Sequence, residues 1–205
     1  MRIAIVGGTG PFGFALATRL REAHEVVLGS RDAARAGEAA KELGVEGTTN
    51  DEAVGAADLI VLATKAEAAL DTARALRAAI DSTPVLCVAS ELRFTPAGVL
   101  PTPESASLAE RVQAELAGSV LAGLHSLAAS TLGSSEPPDE DTFVCGDDVD
   151  AKIRALEVAE LLTSGRALDA GPLASARALE GMTAVIVNLN KRYRGHAGLR
   201  VSGLP

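Results

Sequence analysis

Residues 2–6 form a short, mostly apolar run that ends in a cluster of small residues, Gly7-Gly8-Thr9-Gly10. A run this brief reads as a buried strand and is too short to be a helix. Over 12–22 the apolar positions change period: Phe12, Leu16 and Leu20 recur on one helical face. The alternation then repeats. A strand is predicted at 25–28, an alanine-rich helix at 33–43 stopped by Gly44, and a weak strand near 45–48. Asn50 is expected to cap a short helix starting at Asp51, with Asp51 and Glu52 in its first turn. A fully apolar strand at 58–64, a helix at 67–80 and a strand at 84–89 complete this half. Strands without a polar face need cover on both sides, so this alternation predicts a parallel sheet between two helical layers.

The rhythm loosens after residue 90. We expect a helix at 105–116, a strand at 120–124, a polar loop at 134–141 and a short strand in TFVCG, 142–146. A helix at 151–162, a strand and turn in ALDAGPL, and a long helix from 173 or 174 to 193 follow. The proline-containing segment 94–103 is the candidate mobile loop. There is no internal repeat and no interdomain linker. The expected organisation is a nucleotide-binding part over 1–125, with a smaller α/β extension over 126–205 packed onto it as one unit.

Composition narrows the function. Aromatic residues make up 2% of the 205, with no Trp and one Tyr, so the core is aliphatic and base-stacking platforms are excluded. A net charge of -8 argues against a general nucleic-acid binder. The two cysteines, Cys87 and Cys145, lack metal-ligand spacing and read as reduced, buried thiols of a cytoplasmic protein. No metal site is expected. Met1-Arg2 leads straight into the first strand, so no leader peptide is expected, and no apolar run approaches the roughly 18–20 residues of a membrane helix.

Gly8, Gly10 and Gly13 give G-x-G-x-x-G between a strand and a helix. In this reading Gly8 permits the tight turn, Gly10 lets the backbone approach a pyrophosphate, and Gly13 lets helix and strand pack closely. The helix start supplies N–H groups and partial positive charge. With its flanks, this is a dinucleotide cradle on a Rossmann-type, doubly wound sheet, and Thr9, Pro11 and Phe12 fall within it. Gly7, Gly10 and Gly13 also fit the short-chain dehydrogenase form. That form needs a Tyr-x-x-x-Lys pair, and the residue four after Tyr193 is Ala197. Where NAD sites end the second strand with a carboxylate, this chain has Gly29-Ser30-Arg31, followed one turn along the next helix by Arg35. Hydroxyl and guanidinium donors suit the 2′-phosphate of NADP. Asp32 lies past the usual position.

The glycine segment, VVLGSR, ALDTARAL, FVCGDD, LDAGPL and the NKRYRGHAGLRVSGL tail together resemble the NADPH-dependent F420 reductases, also called F420:NADP oxidoreductases. The resemblance implies hydride exchange between NADP and the deazaflavin coenzyme F420, on a Rossmann-type fold that is commonly a homodimer. It places Thr9, Ser30, Arg31 and Arg35 on NADP, with Ala63, Thr64 and Ala89 lining the cleft. GLHSLAA, which holds His125 and Ser126, resembles the segment beside the deazaflavin ring. Thr64-Lys65-Ala66 and CVASELRF, 87–94, depart from the family pattern, which has prolines in both places.

Direct hydride transfer needs no nucleophile or metal, only two rings held within reach in a dry cleft. His125 is the candidate catalytic residue, as a hydrogen-bond donor to charge developing on the ring; a structural histidine closing a strand end is the alternative. After Glu180 there is no acidic residue, while Lys191, Arg192, Arg194 and Arg200 add four positive charges. Arg192 and Arg194 are candidates for the anionic tail of the deazaflavin coenzyme; cations suited to a helix C-terminus are the alternative. Leu179, Met182, Val185, Ile186 and Leu189 form a stripe that reads as core or as a homodimer face. Two other readings stay open: an NADP-dependent reductase of a flavin or an imine, and a non-catalytic NADP-sensing domain.

Overall fold

A computed structural model describes residues 1–204. Eight strands form one sheet: β1 (Arg2–Val6), β2 (Glu25–Ser30), β3 (Glu46–Thr49), β4 (Leu59–Leu62), β5 (Val85–Cys87), β8 (Val120–Gly123), β9 (Thr142–Gly146) and β10 (Ala167–Asp169). Their order is β10-β9-β8-β5-β4-β1-β2-β3. All neighbours are parallel except β8 and β9, which pair antiparallel with Leu121 opposite Gly146. This is the doubly wound sheet expected, and the strand order reverses between β1 and β4.

Period two along each strand divides the core. Ile3, Ile5, Leu28, Leu59, Val61, Leu86 and Leu121 face α1 (Pro11–Leu20), α2 (Ala33–Leu43) and α7 (Val149–Glu160). Ala4, Val6, Val27, Ile60 and Leu62 face the other way. That layer holds α3 (Asn50–Val54), α4 (Ala66–Ile80), α5 (Leu108–Gln113) and α8 (Ala176–Tyr193). Both cysteines are free and buried, and burial pushes their thiols up to about 12 at Cys87 and about 11 at Cys145. No helix among the described residues is long and apolar enough to cross a membrane.

Two expectations are corrected. The cap of α3 is Thr49, and Asn50 is the first helical residue. The Thr49 hydroxyl accepts from the Glu52 N–H at 3.3 Å, and Glu52 returns the contact, a capping box that the Thr-x-x-Glu spacing allows. The segment read as mobile is instead an antiparallel hairpin, β6 (Leu92–Thr95) with β7 (Gly98–Pro101). The hairpin is held from outside itself: Asn188 of α8 accepts from the Val99 N–H at 2.8 Å and donates to the Val99 carbonyl at 2.7 Å. A further short helix, α6 (Ala129–Leu132), packs on α1.

The C-terminal tail is strapped down by a buried carboxylate. Asp141 accepts from the Arg166 guanidinium and from the Val201 N–H, each at 2.8 Å, while its own N–H donates to the Leu199 carbonyl. Arg166, beside it, holds the Asp141 carboxyl far below the usual carboxylate range. A group with a depressed folded pKa contributes stability above its unfolded value and loses it as pH falls. Asp141→Asn should therefore cost about 3 kcal/mol at pH 7. In urea unfolding, the gap from wild type should start to narrow below about pH 4 and keep shrinking as pH falls further; a gap that stays constant with pH would remove the ion pair as its cause.

Candidate active site

The glycine turn joins β1 to α1 at the reversal of strand order. Gly7 holds φ +82°, and a Cβ there would lie 3.0 Å from the Ala63 carbonyl oxygen and from the Thr64 nitrogen. The tight turn thus belongs to Gly7, not to Gly8 as the spacing suggested. Gly8 lies in close packing instead, where a Cβ would come within 2.9 Å of the Ile5 carbonyl oxygen. At Gly13 the expectation holds: a Cβ would fall 2.7 Å from the Gly7 carbonyl oxygen and 2.9 Å from the Gly8 Cα, and neither backbone atom can yield. Helix α1 begins with Gly10 as cap and Pro11 at its first position, and no side chain caps it. Its first N–H groups are therefore left for a ligand.

A cavity of about 430 Å³ opens over this turn. Thr9, Gly10, Pro11 and Phe12 line it, with Ser30, Arg31 and Arg35 at one end and Ala63 and Thr64 on the other wall. Gly7 and Lys65, next to expected residues, also line it, and sequence reasoning missed three more, Asn50, Ala68 and Thr72. A neighbouring cavity of about 550 Å³ shares Ser30, Arg31 and Asn50 and continues along α4 past Glu67, Asp71 and Leu76. The Thr64 hydroxyl and the Asn50 Oδ1 are buried and without a hydrogen-bond partner.

Hydrogen bonding settles the chemistry at the Ser30 end. Asp32, the one carboxylate near this end in sequence, caps α2: its Oδ1 accepts from the N–H groups of Ala34 at 3.0 Å and Arg35 at 3.2 Å. Ser30 Oγ accepts from the Asp32 N–H at 3.2 Å, which leaves its own proton to give. Arg31 and Arg35 are exposed. The groups presented there are donors, and most carry positive charge.

The residues assigned to a second ligand lie outside these two cavities. His125 follows β8 and is 6% exposed. Its ring lies by the Ala89 carbonyl, yet neither nitrogen has a well-formed hydrogen bond. Burial pulls the imidazole down to about 4, so it is neutral at pH 7. The preceding residue, Leu124, is held at φ 64°. Ala89, expected in the NADP cleft, is buried and lines neither cavity, and the buried Ser126 donates to the Asp141 carbonyl at 3.3 Å. Arg192 and Arg194 are exposed at the end of α8. The other two tail cations are engaged: Lys191 lies 5.3 Å from the centre of the Phe94 ring, and Arg200 pairs with Asp139.

Comparison with known proteins extends this picture. Residues 2–89 match the family model described as NADP oxidoreductase coenzyme F420-dependent. Over its whole length the chain is 36% identical to the F420-dependent NADP reductase of Methanothermobacter thermautotrophicus, covering 96% of that protein. It is 33% identical to the F420-dependent NADP reductase of Methanocaldococcus jannaschii, again over all of this chain and 99% of that one. A solved structure from Arthrobacter sp. FB24 superposes with a TM-score of 0.85 at 23% identity, covering 99% of this chain and 100% of that chain, which shows the fold.

The low His125 value has a measurable consequence. The unfolded chain takes up this proton near pH 6.5, whereas the fold resists it to about 4. Stability should therefore fall as pH drops through that window, and His125→Gln should remove its share of the slope. An NMR titration of the three histidines should show one staying neutral to about pH 4 and vanishing in the variant; an ordinary titration near 6.5 would contradict the burial.

Proposed function

The chain belongs to the family of F420-dependent NADP reductases, and on that premise we propose that it is an oxidoreductase moving a hydride directly between NADP(H) and coenzyme F420. The observation that carries the NADP half is the Ser30 end of the smaller cavity. It offers hydroxyl and guanidinium donors, and Asp32, the carboxylate that follows Ser30-Arg31 in sequence, is turned into a helix cap. NAD selection would want the reverse, an acceptor facing the ribose hydroxyls. The buried, unpartnered hydroxyl of Thr64 in the cavity wall fits a polar guest.

In this reading Ser30, Arg31 and Arg35 hold the 2′-phosphate. Thr9 and the N–H groups of Phe12 and Gly13 at the helix start hold the pyrophosphate, since those of Gly8 and Gly10 are spent on backbone carbonyls and Pro11 has none. Ala63 and Thr64 border the nicotinamide end. When bound, the dinucleotide supplies or accepts the hydride. The chain's task is placement within about 3–3.5 Å and exclusion of water. His125 and Ser126 form the deazaflavin side. A neutral His125 donates a hydrogen bond there without bringing a buried charge. Arg192 and Arg194, which pair with no carboxylate among the described residues, receive the anionic tail. The α/β portion over 126–205 builds this second side, and its β9 and β10 extend the sheet of the nucleotide-binding part.

An anaerobic mixture of the protein, NADPH and oxidised F420 should lose the visible absorbance of the deazaflavin. NADPH bound without turnover would overturn the proposed activity, and turnover with a free flavin instead would move it to that acceptor. In the same assay Arg31→Asp should lower the preference for NADP over NAD about a hundredfold, on the order of 3 kcal/mol.

We further propose that two copies pair through α8. Val185, Leu189 and Tyr193 recur every four residues and are 55%, 36% and 73% exposed. Sedimentation should give a dimer for the wild type and a monomer for Val185→Glu with Leu189→Glu. A dimer that survives both changes would place the contact elsewhere.

A further inference from the structure

Asn50 stands where the two cavities meet and lines both. It is 8% exposed, and its Oδ1 is buried with no donor to accept from. That oxygen lies against Gly29 of β2, where an added Cβ would come within 2.8 Å of it. Gly29 has no left-handed φ, so the turn geometry that usually calls for glycine does not apply. A glycine inside a strand leaves nothing to pack there. What its missing side chain admits is the Asn50 amide. With the oxygen turned inward, the amide nitrogen faces the other way. It makes no hydrogen bond within the protein and is not among the buried unpartnered atoms, so it opens toward the cavities.

We propose that the Asn50 amide nitrogen donates to the 2′-phosphate of NADP(H), as a specificity-determining residue beside Ser30 and Arg31. The inference rests on the NADP reading and adds a contact to it. Charge fixes where the phosphate sits. Asp51, Glu67 and Asp71 line only the larger cavity, whereas the cations Arg35 and Lys65 line only the smaller. A dianion is therefore drawn to the smaller cavity's side of the shared residues Ser30, Arg31 and Asn50 and away from Asp51 and the α4 carboxylates Glu67 and Asp71. Gly29 then acts through Asn50. It fixes which way the amide faces, because a methyl group there would push the oxygen out of its place.

Titration calorimetry with the full chain tests this, using adenosine 2′,5′-bisphosphate and, as the probe without the 2′-phosphate, 5′-AMP. Asn50→Ala should weaken the bisphosphate about tenfold and leave 5′-AMP within about twofold, as expected for one hydrogen bond to a charged group. Gly29→Ala should do the same, and the double variant should lose no more than either single one. Asn50→Asp keeps the size of the side chain and should lose more than Asn50→Ala, since a carboxylate repels the phosphate; it also serves should the alanine variant fail to fold. The proposal is overturned if Asn50→Ala binds the bisphosphate like wild type, if both probes weaken equally, or if the two single losses add. Wild-type protein that takes up no bisphosphate would instead overturn the NADP reading beneath it.

Discussion

The backbone of α1 at Gly13 rests directly on the backbone of Gly7 and Gly8, with no room between them for a single carbon. The rest of the cofactor side follows from this contact. It lets the helix start immediately above the end of β1, so that its uncapped first turn faces the cavity. The same tight fit brings Gly7 against the Ala63 carbonyl and the Thr64 nitrogen, which ties the turn to the end of β4. Two strands and a helix thereby meet at the one place where the strand order reverses. A side chain at any of the three glycines would have to move backbone atoms, which packed elements tolerate poorly.

Electrostatics works on top of that geometry by subtraction. A protein of net charge -8 has to receive a polyanion, and it does so by removing the nearby acceptor. Asp32 is satisfied by two N–H groups of α2, which leaves the donors Ser30, Arg31 and Arg35 lining that end of the cavity. On the other side of the molecule Asp141 holds the basic tail, and Asp139 occupies Arg200. The +4 tail read from sequence is therefore two free arginines and two engaged cations.

Much of the fold was legible because its signals are local. The apolar runs of β1, β4 and β5 and the stop at Gly44 depend on neighbours in the chain. The errors share a cause, which is contact over long separations. The 94–103 segment looked loose because its partner, Asn188, is nearly a hundred residues away. Period and spacing identified Ser30 and Arg31, but they could not show that Gly29 is vacant for the side chain of Asn50, which arrives from another element. The choice between Gly7 and Gly8 for the turn depends on a φ angle, and two adjacent glycines carry the same signal in sequence. The Thr49 cap was within reach of sequence, since Thr-x-x-Glu stands at 49–52.

The polar atoms left unsatisfied separate structural burial from burial that serves a ligand. An orphaned buried group costs about 1–3 kcal/mol, so a fold keeps few without a reason. His24 and Thr142 hold such atoms away from both cavities, which shows that an orphan by itself assigns nothing. At Asn50 and Thr64 the orphan coincides with a cavity wall, and at Asn50 it coincides also with a strand glycine whose place it fills. Two local rules are broken at one point, a glycine within a strand and an unpaired amide oxygen, and each violation accounts for the other. Such paired departures from local consistency are expected where a fold gives up stability for recognition.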